Sequence, residues 1–222
     1  MDGTGLLFEP IQKLWTEKTP PLLLSYPPDH ILGYAEIESF VLSRLPVSEP
    51  YVLIAESYSG PVAARIAARH PPMLRGLVLS ATFVRRPMGW FGKWFRFLIG
   101  PYLFQPALTR FIADKIFKRE GLPDEQIAQW IKAFGQVRPG VIAARLKEIL
   151  EVEAFEDLRK CSVPVLCLYG QRDWLLPDRC RELIREAIPT AKMVGLDTPH
   201  LLLQDKPAEA LREIQIFTQS LV

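Results

Sequence analysis

Short apolar runs of five or six residues alternate along the chain with longer segments whose apolar positions recur at helical spacing. "PLLLSY" (Pro21–Tyr26), "YVLIA" (Tyr51–Ala55), "GLVLS" (Gly76–Ser80), "VLCLY" (Val165–Tyr169) and "KMVGL" (Lys192–Leu196) read as strands. Helices are predicted near Glu36–Leu45, Pro61–Arg69, Asp178–Ile188 and Pro207–Leu221. Pro177, Pro189 and Pro207 fall at their boundaries, where a residue with a fixed φ and no N–H is tolerated. This alternation is the signature of βα units, so the expected class is α/β with a mainly parallel sheet flanked by helices.

The rhythm breaks between about Phe83 and Phe155. "MGWFGKWFRFLIGPYLF", "PALTRFIADKIFKRE", "PDEQIAQWIKAFG" and "VIAARLKEILEVEAF" read as successive helices, with no convincing strand among them. The stretch is too long for a βα connection and too apolar for a linker. We therefore expect residues 1–82 and 156–222 to form one core and residues 83–155 an inserted helical segment. Lys93, Arg96, Pro101, Pro106 and several glycines argue against a transmembrane span over Met88–Leu108.

Composition adds limits. The 222 residues suffice for one sizeable core with one insertion. A hydrophobic share of 49% beside 23% charged residues is that of a globular chain. The net charge of +2 gives no basis for a nucleic-acid partner. Cys161, Cys167 and Cys180 are odd in number and form no C-x-x-C pair, so reduced thiols and a cytoplasmic setting are expected, with Cys167 in a strand core. The opening residues do not follow a secretory-signal pattern.

Candidate chemistry concentrates in three loops. "LIAESYSGP" places Ser57 between an apolar run and an alanine-rich helix, with small residues, Ala55 and Ser59, two positions to either side. A nucleophile elbow needs that strand–turn–helix setting and small neighbours, because the backbone folds tightly there; an ordinary polar turn is the alternative. A serine needs an imidazole base and an orienting carboxylate. Of the three histidines, His70 ends a helix and is expected to meet its last carbonyls, and His30 lies in a loop. His200, in "GLDTPHLLLQDKP", follows the last strand at the sheet edge where the elbow opens. Asp173, in "LCLYGQRDWLLPD", follows the preceding strand. Asp178 reads as a helix cap, and Asp197 is too near His200 in the same loop.

The order Ser57, Asp173, His200, with the "GQRDWLLP" and "DTPHLLLQDKP" loops and a helical insertion before the acid strand, resembles the α/β-hydrolase superfamily, in particular its small bacterial serine esterases. The resemblance implies Ser57 as nucleophile, His200 as general base and then acid, and Asp173 as its partner, without metal or cofactor. It also implies oxyanion donors at Tyr58 and at Met1 (or Asp2). "MDGTGLLF" is similar to a loop that usually follows a Pro-Gly and an apolar strand, which leads to the expectation that the native chain starts upstream of Met1. The insertion then corresponds to a lid over an apolar pocket, for which Trp94, Phe95, Phe97 and Trp174 are candidates, suited to lipophilic acyl or aryl esters. From Val84 to Arg119 eight cationic side chains stand against Asp114 alone, so the remainder is net acidic. A basic lid suits an acidic partner such as an acyl carrier protein or an anionic membrane surface, with a solvated helical face as the plain alternative. A thioesterase or acyltransferase would use the same triad, and a non-catalytic binding protein on this fold is the third reading.

Overall fold

Four of the five apolar runs become strands of a single parallel sheet in the computed structural model, which describes residues 1–16, 20–88, 96–119 and 121–221. They are β1 (Tyr51–Glu56), β2 (Leu74–Ser80), β3 (Val165–Gly170) and β4 (Lys192–Leu196), in the order β1-β2-β3-β4. Leu53 pairs with Leu77, Leu79 with Cys167 and Cys167 with Met193. Both faces are covered, which is why the runs are almost continuously apolar. Leu77, Leu79, Val165 and Cys167 face α3 (Gly60–Ala68), α7 (Phe155–Arg159) and α8 (Arg179–Ala187). Val78, Leu166 and Leu168 face α1 (Glu9–Lys13), α9 (Leu202–Asp205) and α10 (Pro207–Gln219).

"PLLLSY" is the exception. Among the described residues no strand pairs with the outer edge of β1, and Pro21–Tyr26 forms no ladder and no helix. Among the described residues its one main-chain to main-chain bond to another segment is Tyr26 N–H to the Gly3 carbonyl, 2.7 Å. An apolar run becomes a strand only when a neighbour supplies alternating donors and acceptors. Here Leu24 and Tyr26 instead pack with α2 (Tyr34–Leu42), and Leu22 is left exposed.

Between β2 and β3 lie α4 (Pro106–Arg119), α5 (Asp124–Gly135) and α6 (Pro139–Ile149). The helix expected over "MGWFGKWFRFLIGPYLF" is not formed in its described part, which holds short 3-10 turns, one of them Pro101–Phe104. Gly100 is extended and Pro101 follows it, which ends any helix there. The two ends of the segment are pinned together. Ala154 N–H donates to Val84 O at 2.7 Å, Arg86 N–H to Val152 O at 3.0 Å, and Arg85 Nε meets Glu153 Oε2 at 2.7 Å. Glu148 of α6 also accepts from the Tyr34 N–H at 3.0 Å, satisfying a free amide at the start of α2.

Candidate active site

Ser57 stands where β1 ends. Its φ of 52° lies in the left-handed region, which costs a non-glycine residue about 1–2 kcal/mol, and a 3-10 turn over Ser57–Ser59 leads into α3. Packing holds this conformation. The Thr82 hydroxyl, just past β2, donates to the Ser57 carbonyl. Gly60 lies so close to Thr82 that a Cβ there would come within 2.8 Å of the Thr82 Cβ, nearer still to Oγ1. The tight contact therefore falls on Gly60, and position 59 has room for a serine. Its Oγ accepts the Tyr26 O–H at 2.9 Å.

The structure brings Ser57, His200 and Asp173 together. His200, in the loop after β4, places Nε2 2.9 Å from Ser57 Oγ and Nδ1 2.8 Å from Asp173 Oδ2. With a carboxylate at Nδ1, the proton belongs on Nδ1 and Nε2 accepts the serine O–H. Asp173 Oδ1 accepts the Leu175 and Leu176 N–H groups at 2.9 and 3.1 Å, so its second oxygen is aimed by its own loop. The two side chains are 12% and 7% exposed. The acid and histidine loops are tied by Gln171 N–H to Leu196 O (2.8 Å), Arg172 N–H to Thr198 O (3.0 Å) and Arg172 Nε to Asp197 (2.6 Å). Asp197 is thereby engaged away from His200.

Glu56 joins the elbow to α9. Its Oε2 accepts from Gln204 Nε2 at 3.0 Å, and Gln204 Nε2 also donates to the Leu7 carbonyl at 3.0 Å. Burial pushes the Glu56 carboxyl above its usual value, against the pull of the Gln204 hydrogen bond and of nearby His200. Among the described residues no group of three or more His, Cys, Asp or Glu is placed to hold a metal ion.

The Tyr58 N–H sits in the first turn after Ser57, where a helical start leaves amides without an internal acceptor. The Met1 side chain packs in the same cluster as Tyr58 and also against that of Phe134 and Val141. The Asp2 carboxylate accepts from the Thr4 N–H at 3.0 Å and the Thr4 O–H at 2.6 Å. Among the pocket candidates, Phe97 is 80% exposed and Trp174, beside Asp173, 49% exposed; Trp94 and Phe95 lie outside the described residues. His30 pairs with Asp29 at an exposed position. The His70 ring does not reach the last carbonyls of its helix. Its φ of 51° turns the chain, and Nδ1 meets Ser162 Oγ at 2.9 Å. Asp178 occupies the N-cap position of α8 without a cap bond, its carboxylate being drawn to Arg181 at 2.7 Å.

Sequence reasoning missed Thr82, Tyr26, Glu56, Gln204 and Arg145. Only Arg145 carried a signal. It falls on the apolar stripe of α6 at helical spacing from Val141 and Ile142, where a charged residue is out of place.

A parallel sheet covered by helices, with serine, acid and histidine loops meeting at its carboxyl edge, makes the chain an esterase-like member of the α/β-hydrolase superfamily. Within it, residues 34–197 match the family described as serine aminopeptidase S33, and the chain belongs to that family. A protein of Aeromonas hydrophila named pimeloyl-[acyl-carrier protein] methyl ester esterase is 27% identical over 176 residues, 74% of this chain and 69% of that one. One of the same name from Vibrio atlanticus is 26% identical over 218 residues, 87% of this chain and 76% of its own. A thermophilic esterase from Thermogutta terrifontis superposes with a TM-score of 0.80 at 20% identity, over 97% of this chain and 85% of that one. The esterase RhEst1 of Rhodococcus gives 0.75 at 19%, over 99% and 87%. At such identities the structural likeness establishes the fold.

Proposed function

We propose that the chain hydrolyses carboxylic esters through an acyl-enzyme on Ser57, with His200 as proton relay and Asp173 as its orienting partner. The observation that carries this is the unbroken run from Ser57 Oγ to His200 Nε2 (2.9 Å) and from His200 Nδ1 to Asp173 Oδ2 (2.8 Å). Ser57 Oγ attacks the carbonyl carbon as its proton passes to His200. Collapse of the tetrahedral intermediate returns that proton to the departing alkoxide. Water, deprotonated by His200, then attacks the acyl-enzyme and releases the acid and Ser57. The Tyr58 N–H and one amide of the Met1–Asp2 loop stabilise the oxyanion. Stoichiometric fluorophosphonate labelling of the wild type, lost in Ser57→Ala, is the expected result. A folded wild type that does not label overturns the reading.

As substrate class we propose a methyl ester carried on an acyl carrier protein, and α4–α6 as a lid that receives the carrier. The names of the Aeromonas and Vibrio relatives support this, as does the outward side of α4, where Lys115 and Arg119 are exposed and the buried residues, Ala113 and Phe117, lie opposite. Lid packing against the histidine loop fits too, since Leu201 shares a cluster with Ala113, Phe117 and Ile127. A cytoplasmic setting agrees with the three free cysteines. The test compares kcat/KM for one acyl methyl ester carried on acyl carrier protein and free, with the matching coenzyme A thioester as a third substrate. Preference for the carried ester, weakened by salt and by Lys115→Glu with Arg119→Glu, is expected; equal rates on free esters point to a small lipophilic ester, and faster thioester cleavage to a thioesterase.

The membrane alternative has its own observation. Phe97, Phe111 and Met88 are 80%, 61% and 64% exposed on the same basic segment, an arrangement suited to an anionic lipid surface. No described helix is long and apolar enough to cross a membrane. Cosedimentation with phosphatidylglycerol vesicles, absent with phosphatidylcholine, would select this surface over the carrier protein.

A further inference from the structure

Arg145 of α6 is 1% exposed, yet it forms no ion pair among the described residues. Its Nη1 donates to the carbonyls of Met1 at 3.0 Å and Asp2 at 2.6 Å, and its Nη2 to that of Pro27 at 3.0 Å. Burying a cation among neutral acceptors is costly, and an apolar side chain of the same volume would pack α6 onto the body at less expense. What the guanidinium adds is direction, because its rigid plane fixes several carbonyls at once.

Direction matters for the first peptide of the chain. In a trans peptide the C=O and the following N–H point to opposite sides. Holding the Met1 carbonyl against α6 therefore turns the Asp2 N–H away from α6. No acceptor among the described residues takes that N–H, and the Asp2 carboxylate is engaged by Thr4. The Met1 side chain lies between the cluster of Tyr58 and Tyr26 and that of Phe134 and Val141, so this peptide runs between the elbow and the inserted helices. Gly3, with φ 68°, completes the clamp. A Cβ there would meet Tyr26 Cδ2 at 2.7 Å and Arg145 Nη1 at 3.0 Å.

We propose that Arg145 is a positioning residue of the oxyanion site, fixing the Met1–Asp2 peptide so that the Asp2 N–H is the second donor beside Tyr58. The inference rests on Ser57 being the nucleophile, as read above. It makes one helix of the inserted segment part of the machinery that stabilises the transition state, through hydrogen bonds to main-chain carbonyls.

Arg145→Met keeps length and volume while removing all three bonds; Arg145→Lys keeps the charge without the plane. On a short-chain p-nitrophenyl ester, the Met variant is expected to lose about 10²-fold in kcat, the cost of one oxyanion donor, with KM within about threefold of wild type. The Lys variant loses less. Inhibition by a trifluoromethyl ketone, whose serine adduct carries the same oxyanion, weakens in step with kcat/KM. Circular dichroism and the thermal midpoint establish that the variants fold. A folded Met variant with wild-type kcat, or one whose loss lies in KM alone, overturns the proposal. If the Met variant does not fold, the Lys variant decides, and an unchanged kcat there overturns it. Fluorophosphonate labelling of the wild type separates the two readings: without it the Ser57 reading fails first, whereas labelled wild type with an unaffected Arg145 variant sinks only the role of Arg145.

Discussion

The two sides of the proposed site are built by different physics. The Ser57 side is local. β1 delivers the serine, the start of α3 carries its neighbours away, and a contact between Gly60 and Thr82 closes the turn. The side formed by residues 1–5 belongs to no ladder and no long helix. Among the described residues it is held by one turn at Asp2 and Thr4, by bonds from the Tyr26 N–H to the Gly3 carbonyl and from the Ser25 hydroxyl to the Thr4 carbonyl, and by a guanidinium 144 positions away in sequence. A local device tolerates change elsewhere in the chain, whereas a remote clamp makes geometry at the site depend on how the inserted helices sit.

The comparison breaks most sharply at the orienting acid. Asp173→Asn keeps an oxygen for the Leu175 and Leu176 amides, so the loop should survive. It presents an amide to His200 Nδ1, which then favours the opposite tautomer with a proton facing Ser57. We expect kcat on a p-nitrophenyl ester to fall by about 10⁴-fold with an unchanged thermal midpoint. A loss below about tenfold would mean that Asp173 does not set the tautomer.

Gly60→Ala attacks the local side through packing. Its backbone is right-handed, with φ −58°, so the new methyl adds no backbone strain and its three nearest atoms all belong to Thr82. Overpacking of this kind costs about 1–3 kcal/mol, read as a lower urea midpoint at unchanged m-value. Adding Thr82→Ala should recover part of it, because the nearest atoms are removed. Equal loss in the single and double variants would contradict the contact argument.

Gly3→Ala tests the remote side. The left-handed φ alone costs about 1–2 kcal/mol, and the methyl would press on Tyr26 and Arg145. Because residues 1–5 contribute little to the sheet core, this loss should appear in kcat more than in global unfolding. A large drop in the urea midpoint with unchanged kcat would show that the loop is structural and not part of the site.

The same division decides what was legible in the sequence. Strands β1 to β4 follow from uninterrupted apolar runs that are covered on both faces, and the approach of the Ser57, Asp173 and His200 loops follows from parallel topology, which gathers every strand's carboxyl end at one edge. "PLLLSY" has the same composition but no ladder partner among the described residues, and pairing is a non-local property that a run of leucines cannot report. The elbow pattern read Ala55 and Ser59 as stand-ins for glycine; the steric need sits one residue further, at Gly60, because it is set by Thr82 just past the neighbouring strand. Arg145 and Gln204 act on main-chain carbonyls, and carbonyls carry no sequence signature. Arg145 showed itself only as a charge on an apolar stripe.

Glu56 lies between the two sides, touching α9 through Gln204 and the N-terminal turn through that same amide, and it sharpens the comparison by pH. Burial raises its carboxyl pKa in the folded protein above the unfolded value. The folded state then holds the proton more tightly than the unfolded chain. Its contribution is most favourable below the unfolded value, is lost as pH rises toward the raised folded value, and is fully unfavourable above it. Glu56→Gln cannot ionise and retains an oxygen for the Gln204 amide. The variant should therefore unfold at a higher temperature than wild type at pH 8, with the advantage shrinking as pH falls and vanishing once Glu56 is protonated in both states. A pH-independent difference in midpoint would mean that Glu56 ionises at no cost, and that the join between elbow and α9 is a solvated one.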